Sequence, residues 1–287
     1  MKRIPGIWQQ IYATPHHLAW IEVDGVRTRI LDAGPAGAPA LLLLHGTAGS
    51  LENFCANIAA FAAHFRVIAI DMLGCGRTDK PPFDYRIQDY ARHALGVLDA
   101  LELPQAAVVG VSLGAWVAAA MALDQPARVR RLVLVAPAGI IVDAEEERRF
   151  AEGVRQRRAS AAGAPSWESV SKAMQGLVLD PATLSDELIA IRLDIYRQPE
   201  MAAAMPRLLA FSLGGQALSD AQWQSLQLPI LVIAAVDAPN MFLKNAHAIA
   251  QRAPQATLVE IPGCDHWAQY EQPERFHAAS IPFLLHP

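Results

Sequence analysis

The sequence has few cysteines and no excess of positive charge. Its three cysteines are an odd number, lie far apart and include no C-x-x-C pair, so neither a disulfide framework nor a zinc site is indicated. The 24 lysine and arginine residues are outnumbered by 28 aspartate and glutamate residues. The resulting formal net charge of −4 argues against nucleic acid or an acidic membrane surface as a partner. We expect a reducing compartment, the cytoplasm, and no bound metal ion.

Long hydrophobic runs are absent as well. No stretch reaches the roughly 18 consecutive apolar residues that a membrane-spanning helix needs, so no membrane span is expected. The first six residues carry positive charge but no continuous apolar segment follows them, so we expect no signal peptide. The 287 residues are 53% hydrophobic and 18% charged, which is typical of a folded chain with a sizeable core.

Short apolar segments alternate with helical patterns in two parts of the chain. Strands are predicted at 20–23, 27–31, 41–44, 67–70, 108–111, 132–135, 230–235 and 257–261, and helices at 51–64, 85–101, 113–123, 243–252 and 273–285. This alternation predicts an α/β fold with a mostly parallel, doubly wound sheet. We assign residues 1–137 and 228–287 to this core.

The segment 138–227 has helical patterns only, broken by glycine and proline. We interpret it as a helical lid inserted between two strands of the sheet. Its charged run from Glu145 to Arg158 is interpreted as a solvated helix face.

The stretch Gly110-Val111-Ser112-Leu113-Gly114 matches the pattern G-x-S-x-G. A β-branched apolar segment precedes it and an alanine-rich, proline-free segment follows it, as a strand and a helix should. This context is that of a nucleophile elbow, in which a serine lies on a strained strand-to-helix turn. Ser112 is therefore the candidate nucleophile; the alternative is a serine that only caps the helix.

The carboxyl ends of two later strands supply the groups that a serine nucleophile requires. Asp237 follows the strand at 230–235, and His266 follows the strand at 257–261. We expect His266 to be the general base and Asp237 to orient it. Asp265 is the second candidate for the acid, but a residue adjacent to the histidine reaches its Nδ1 atom poorly.

An oxyanion hole should complete the site. One donor is expected to be the backbone N–H of Leu113, the residue after the nucleophile. The second is expected to be the backbone N–H of Thr47, in the loop that follows the strand at 41–44. Gly46 lets this backbone approach the substrate closely. His45 is interpreted as structural because His266 already fills the role of base.

The chain resembles the α/β-hydrolases over its whole length, in which serine, acid and histidine follow one another in this order. Four stretches carry a narrower resemblance: residues 71–81, the histidine loop 263–271, the lid helix 191–200 and Glu52-Asn53-Phe54. In these stretches the chain resembles the meta-cleavage-product hydrolases, which cleave carbon–carbon bonds in ring-opened aromatic catabolites, the 2-hydroxy-6-oxo-2,4-dienoates. The resemblance implies that Arg192, Trp267 and Asn53, with Gly46, bind the substrate. It also implies a dimer or larger homo-oligomer and no organic cofactor.

Arg192 stands out from helical spacing alone. On a helix over 184–197, it falls within the apolar arc, between Leu188 and Tyr196. An arginine is rarely buried without a partner, and an anionic substrate would be one; an internal salt bridge or a side chain extended to solvent is the alternative. The chain departs from the family at Val111, where members often have asparagine, and in its short loop Gly46-Thr47-Ala48-Gly49.

These observations predict a serine hydrolase that cleaves a carbon–carbon bond in a small, anionic dienoate with an apolar far end. A carboxylesterase or lactonase with the same three residues is the first alternative. Haloalkane dehalogenase and epoxide hydrolase activities are disfavoured, because both require aspartate at the position of Ser112. A ligand-binding protein on a hydrolase fold is the alternative from another class, and an intact triad argues against it.

Overall fold

The computed structural model describes residues 5–12 and 14–286. Within this part of the chain eight strands form one sheet, with the order β1-β2-β4-β3-β5-β6-β7-β8. The strands are β1 (His16–Val23), β2 (Val26–Ala33), β3 (Ala40–Leu44), β4 (Arg66–Ile70), β5 (Ala106–Val111), β6 (Val129–Val135), β7 (Ile230–Ala235) and β8 (Ala256–Ile261).

Six neighbouring strands of this sheet are parallel. β1 pairs with β2, and β2 with β4, in antiparallel register, whereas every pairing from β4 through β3, β5, β6 and β7 to β8 is parallel. The strands β3, β5 and β7 are buried at every residue, as strands covered on both faces must be. The mostly parallel sheet predicted from the sequence is confirmed.

Twelve α-helices accompany the sheet in the described part of the chain. The helices are α1 (Ile7–Ile11), α2 (Cys55–Ala62), α3 (Ile87–Ala100), α4 (Leu113–Asp124), α5 (Ala144–Gly163), α6 (Trp167–Gln175), α7 (Asp186–Tyr196), α8 (Met201–Leu208), α9 (Asp220–Ser225), α10 (Met241–Arg252), α11 (Ala268–Glu271) and α12 (Pro273–Leu285). Helices α2, α11 and α12 contact one another, and α3 contacts α4, which packs on β5. The first turn of the helix expected from Leu51 is instead a 3₁₀ helix, Leu51–Phe54, which leads into α2.

Helices α5 to α9 follow one another between β6 and β7, and the described chain forms no strand there. This segment therefore joins the carboxyl end of β6 to the amino end of β7, where the alternation of strand and helix is interrupted. No helix within residues 5–12 and 14–286 combines the length and the apolar character needed to cross a bilayer.

Candidate active site

Ser112 lies on a strained turn between β5 and α4. Its φ of +56° and ψ of −113° lie in a region that side-chain-bearing residues rarely adopt. The surrounding glycines are necessary: a Cβ on Gly110 would lie 2.3 Å from the Gly114 carbonyl oxygen, and one on Gly114 would lie 2.1 Å from that of Leu44. The Ser112 side chain makes no capping hydrogen bond with α4, which argues against a capping role.

The loop after β3 is held next to Ser112 by a buried histidine. The Nε2 atom of His45 accepts a hydrogen bond from the Met72 amide at 3.1 Å. The proton must therefore reside on Nδ1, which donates to the Gly46 carbonyl oxygen at 2.7 Å. Burial lowers the pKa of His45 to about 3, so the ring is neutral. This geometry agrees with a structural role for His45.

Gly46 brings the same loop against the nucleophile. A Cβ built on Gly46 would lie 3.4 Å from Cβ of Ser112, so the loop backbone and the serine are neighbours. Within the described chain, the backbone amides of Thr47 and Leu113 donate no hydrogen bond to another protein group. Two amides near the nucleophile that have no internal acceptor are what an oxyanion hole requires.

His266 is 8% exposed and lines the same cavity as Ser112. Its ring packs against that of Phe242, with centroids 4.2 Å apart. Burial, followed by the charge of Arg158, lowers the pKa of His266 to about 3. The imidazole is therefore neutral at physiological pH, as a general base must be.

The structure does not bring Asp237 into contact with His266. The Asp237 carboxylate is exposed, and its Oδ2 atom accepts a hydrogen bond from the Gly263 amide at 2.7 Å. The Nδ1 atom of His266 is buried and has no partner among the described residues. Asp265 does not fill the place either, since its Oδ1 atom accepts from Asn240 at 3.1 Å. The acid of the triad thus stays a prediction.

One cavity of about 290 Å³ brings most of the expected site residues together. It is lined by Gly46, Thr47, Asn53, Ser112, Leu113, Arg192, His266 and Trp267, and Asp237 is the one expected residue that does not line it. A backbone hydrogen bond ties Trp267 to the helical segment 138–227: its amide donates to the Leu177 carbonyl oxygen at 3.1 Å. In the part of the chain that is described, no cluster of three His, Cys, Asp or Glu side chains could hold a metal ion.

Arg192 is a buried cation in this cavity with a neutral partner. It projects from α7, is 2% exposed, and its Nη2 atom donates to Asn53 Oδ1 at 2.9 Å. Its Nε and Nη1 atoms are buried and have no acceptor among the described residues. Burial lowers the pKa of Arg192, but a guanidinium remains protonated in proteins. Two unused donors on one planar cation form a receptor for a carboxylate.

A second set of cavity residues lies on α5 and was not predicted from the sequence. The run from Glu145 to Arg158 is not simply a solvated face, because Glu147 and Arg155 are half-buried and Arg158 is 7% exposed. The cavity-lining residues of this helix are Ala144, Glu147, Arg148, Phe150, Ala151, Val154, Arg155 and Arg158. The signal was their spacing, since Glu147, Ala151, Val154 and Arg158 recur at the interval of one helical face.

A family model for the alpha/beta hydrolase fold matches residues 39–273. The chain belongs to the α/β-hydrolase family. The match covers both Ser112 and His266, and the family's fold is the one observed here. The predicted fold class and the prediction that the chain is a hydrolase are thereby confirmed.

Relatives within the α/β-hydrolases confirm the narrower resemblance. A 2-hydroxymuconate semialdehyde hydrolase of Pseudomonas sp. strain CF600 is 32% identical, over 91% of each chain. A 2-hydroxy-6-oxononadienedioate/2-hydroxy-6-oxononatrienedioate hydrolase of Burkholderia vietnamiensis is 33% identical, over 95% of this chain and 96% of its own. A meta-cleavage product hydrolase from Pseudomonas fluorescens IP01, solved as a serine mutant with acetates, is 28% identical with a TM-score of 0.78, over 95% and 98% of the two chains.

Proposed function

We propose that this α/β-hydrolase cleaves a carbon–carbon bond in a 2-hydroxy-6-oxo-2,4-dienoate, with Ser112, His266 and Asp237 as its catalytic triad. The observation that carries the proposal is Arg192, a buried guanidinium with two unused donors in the cavity of Ser112. An ester hydrolase needs no such cation, whereas a dienoate presents a carboxylate to it. Asn53 holds the guanidinium in place through Nη2.

The chemistry requires an electron sink beside the bond that breaks. The dienol is first ketonised: the 2-hydroxyl group loses its proton and C5 gains one, which leaves a 2-oxo-3-ene beside C5 that can accept the electron pair of the C5–C6 bond. Ser112 then attacks the C6 carbonyl, His266 takes the serine proton, and the amides of Thr47 and Leu113 stabilise the oxyanion. The C5–C6 electron pair passes to the 2-oxygen, which takes the proton held by His266 and gives 2-hydroxypentadienoate. Water, deprotonated by His266, then hydrolyses the acyl-serine, the proton returns to Ser112, and the acid is released. Trp267 shapes the pocket.

Asp237 would orient His266 if it leaves the Gly263 amide and turns towards Nδ1. The support is twofold: Asp237 follows β7 at the expected strand end, and Nδ1 of His266 is buried without a partner. Hydrogen bonds between catalytic groups are often long or absent before substrate binds. In the same proposal, residues 138–227 act as the lid, and the enzyme works in the cytoplasm as a homodimer or larger oligomer.

The test follows the yellow colour of a 2-hydroxy-6-oxo-2,4-dienoate mixed with the purified protein. Rapid bleaching that yields 2-hydroxypentadienoate and an acid, and that disappears in Ser112→Ala, is the expected result. A p-nitrophenyl ester assayed in parallel detects the carboxylesterase alternative, which Val111 beside the nucleophile and the short loop 46–49 would suit. Ester turnover without bleaching would refute carbon–carbon cleavage and leave the nucleophile intact.

The same assay decides the identity of the acid. Asp237→Asn should lower kcat by about 10⁴-fold, the effect of leaving a catalytic histidine in the wrong tautomer. Asp265→Asn should lower it far less, because that carboxylate bonds to Asn240. The reverse order of the two effects would assign the role to Asp265.

A further inference from the structure

A second cavity, of about 140 Å³, adjoins the larger cavity of Ser112 and shares His266 with it. We call it the side cavity. Arg157, Lys172 and Gly176 are exposed at one end of it, whereas His266 is buried. The residues that line the side cavity and not the larger one are Arg157, Lys172, Ala173, Gly176, Asn240 and Asp265. The side cavity therefore extends from the protein surface, between the helical segment and the core, to His266.

Three cations line the side cavity, and no carboxylate of the described chain neutralises them. Arg157, Arg158 and Lys172 form no ion pair with any described residue. Arg158 is 7% exposed, and its Nη1 atom donates to the Tyr196 hydroxyl at 3.2 Å, which is the one hydrogen bond of this guanidinium within the described chain. A cation that lacks an anion in a partly buried site must be solvated by water.

The side cavity has both the room and the polar groups that bound water requires. One water molecule occupies about 30 Å³ in the liquid, so a cavity of about 140 Å³ holds several. Bound water makes about 2–4 hydrogen bonds to polar groups. The three cations supply donors, and Asp265, whose Oδ1 atom accepts from Asn240 at 3.1 Å, supplies further acceptor sites. The lining thus favours a hydrated path that ends at His266.

The larger cavity is more apolar towards its own exposed end. Ile141 and Leu213, which line it, are 48% and 73% exposed, and Phe150 and Phe211 line it further inside. The apolar far end of a substrate would occupy this space and remain there as the acyl group on Ser112. Such a group excludes water from the part of the cavity that it fills. The water that hydrolyses the acyl-serine then needs a separate way in.

We propose that the side cavity supplies the water that hydrolyses the acyl-serine, and that Arg157, Arg158 and Lys172 keep it hydrated while an acyl group fills the larger cavity. The water gives a proton to His266 as its oxygen bonds to the acyl carbon, and the oxygen of Ser112 then leaves with the proton that His266 returns. This inference rests on the acyl-serine of the proposed function and adds a route for the second reactant. It holds equally for an ester, because ester cleavage also passes through an acyl-serine.

The test fills the side cavity at Gly176, which does not line the larger cavity. Gly176 has a φ of −73° and a ψ of 8°, which other residues adopt readily, and a Cβ built on it would lie 4.0 Å from the Ala173 carbonyl oxygen, an ordinary contact. Gly176→Trp should lower kcat for p-nitrophenyl benzoate by about tenfold or more and leave kcat/KM unchanged, because kcat/KM reports acylation and kcat reports the slow hydrolysis. A burst of p-nitrophenol should precede the slow turnover, because the acyl-serine accumulates.

Further variants control for the substitution itself. Ala173→Trp fills the same cavity from α6 and should have the same effect on kcat. Gly163→Trp should have none, because Gly163 ends α5, lines neither cavity and has no atom within 4 Å of a Cβ built on it. With p-nitrophenyl acetate the effect of Gly176→Trp should be smaller, because an acetyl group leaves the larger cavity open to water. Unchanged kcat in both side-cavity variants, or a fall in kcat/KM equal to that in kcat, would overturn the proposal.

A double variant tests the role of the cations. Arg157→Met combined with Lys172→Met makes the outer end of the side cavity apolar, and kcat for p-nitrophenyl benzoate should fall about threefold with kcat/KM unchanged. Arg149→Met is the matched control, since Arg149 lies on α5, its side chain is 67% exposed and it lines neither cavity. An unchanged kcat in the double variant would show that these cations do not keep the path hydrated.

The same measurements separate this inference from the proposed function. A wild-type enzyme that hydrolyses the esters but bleaches no dienoate would refute carbon–carbon cleavage and leave the test of the side cavity in place. An enzyme that bleaches dienoates and hydrolyses no ester should show, in Gly176→Trp, a burst of bleaching followed by slow turnover. Full turnover of both kinds of substrate in Gly176→Trp and Ala173→Trp would refute the water route alone.

Discussion

Arg29 and Arg192 are buried almost equally, at 3% and 2% exposed, but their surroundings differ in charge. Arg29, on β2, donates from Nε to Asp71 at 2.7 Å and from Nη2 to both oxygens of Glu52 at 2.8 Å. Burial acts to lower the pKa of Arg29, yet these two carboxylates outweigh it and the pKa is raised. Arg192 bonds to the neutral Asn53, and burial lowers its pKa.

The difference separates a structural charge from a functional one. The cluster around Arg29 is complete, because Asp71 also accepts from the amides of Leu51 and Arg77 and so fixes the start of the 3₁₀ helix and the loop after β4. The hydrogen bonding of Arg192 is incomplete, because two of its buried donors lack acceptors among the described residues. A protein that tolerates an uncompensated buried charge retains binding energy for an anion that arrives from outside.

The largest expected effect on stability is that of Arg29→Met. It would leave the carboxylates of Asp71 and Glu52 buried without a cation, and we expect the free energy of unfolding to fall by about 3–5 kcal/mol. Urea denaturation measures this. Arg66→Met is the control, because Arg66 pairs with Asp32 at 2.8 Å but both side chains are partly exposed. Its cost should be about 1 kcal/mol or less. Equal losses of unfolding free energy in the two variants would show that the buried charges around Arg29 matter no more for stability than a partly exposed ion pair.

Arg192→Met should have a smaller effect on stability, and of opposite sign. The substitution removes a charge that no carboxylate compensates, so we expect the free energy of unfolding to rise by about 1 kcal/mol even though Asn53 loses its partner. Turnover of a dienoate should be lost in the same variant, and ester turnover retained. A fall in stability comparable to that of Arg29→Met would mean that Arg192 holds the fold together.

The sequence was sufficient where a local pattern determines the structure. The alternation of apolar strands with helices predicts the sheet, and the glycines around Ser112 predict the strained turn, because sterically only glycine fits beside the Gly114 and Leu44 carbonyl groups. Burial of Arg192 followed from its place on one helical arc. These features depend on neighbours within a few residues or on strand ends, which parallel topology brings together.

The sequence was insufficient where the packing of one element on another determines whether a side chain is buried and what it contacts. The charged run on α5 resembles a solvated face, and only the way this helix lies over the cavity makes Arg158 a buried residue. The hydrogen bond of Asp237 depends likewise on the conformation of the loop after β7, in which the carboxylate turns to Gly263. Neither the tilt of a helix nor the rotamer of a loop residue is encoded in the spacing of residue types.

The smallest effect we expect is on the pH dependence of catalysis, and it extends the comparison to Arg158. Burial and then Arg158 lower the pKa of His266 to about 3, from an ordinary value of 6.5. A base is active when it is neutral, so kcat/KM for neutral p-nitrophenyl acetate should stay constant as the pH falls through 6.5 and should decline only well below it. Arg158→Met removes the positive charge that adds to the effect of burial on the pKa of His266. The midpoint of the decline should therefore shift to a higher pH that is still below 6.5, whereas Arg149→Met should leave the midpoint unchanged. A wild-type decline centred near pH 6.5 would show that His266 does not titrate in a buried, positively charged setting, as expected if the Asp237 carboxylate already contacts its ring.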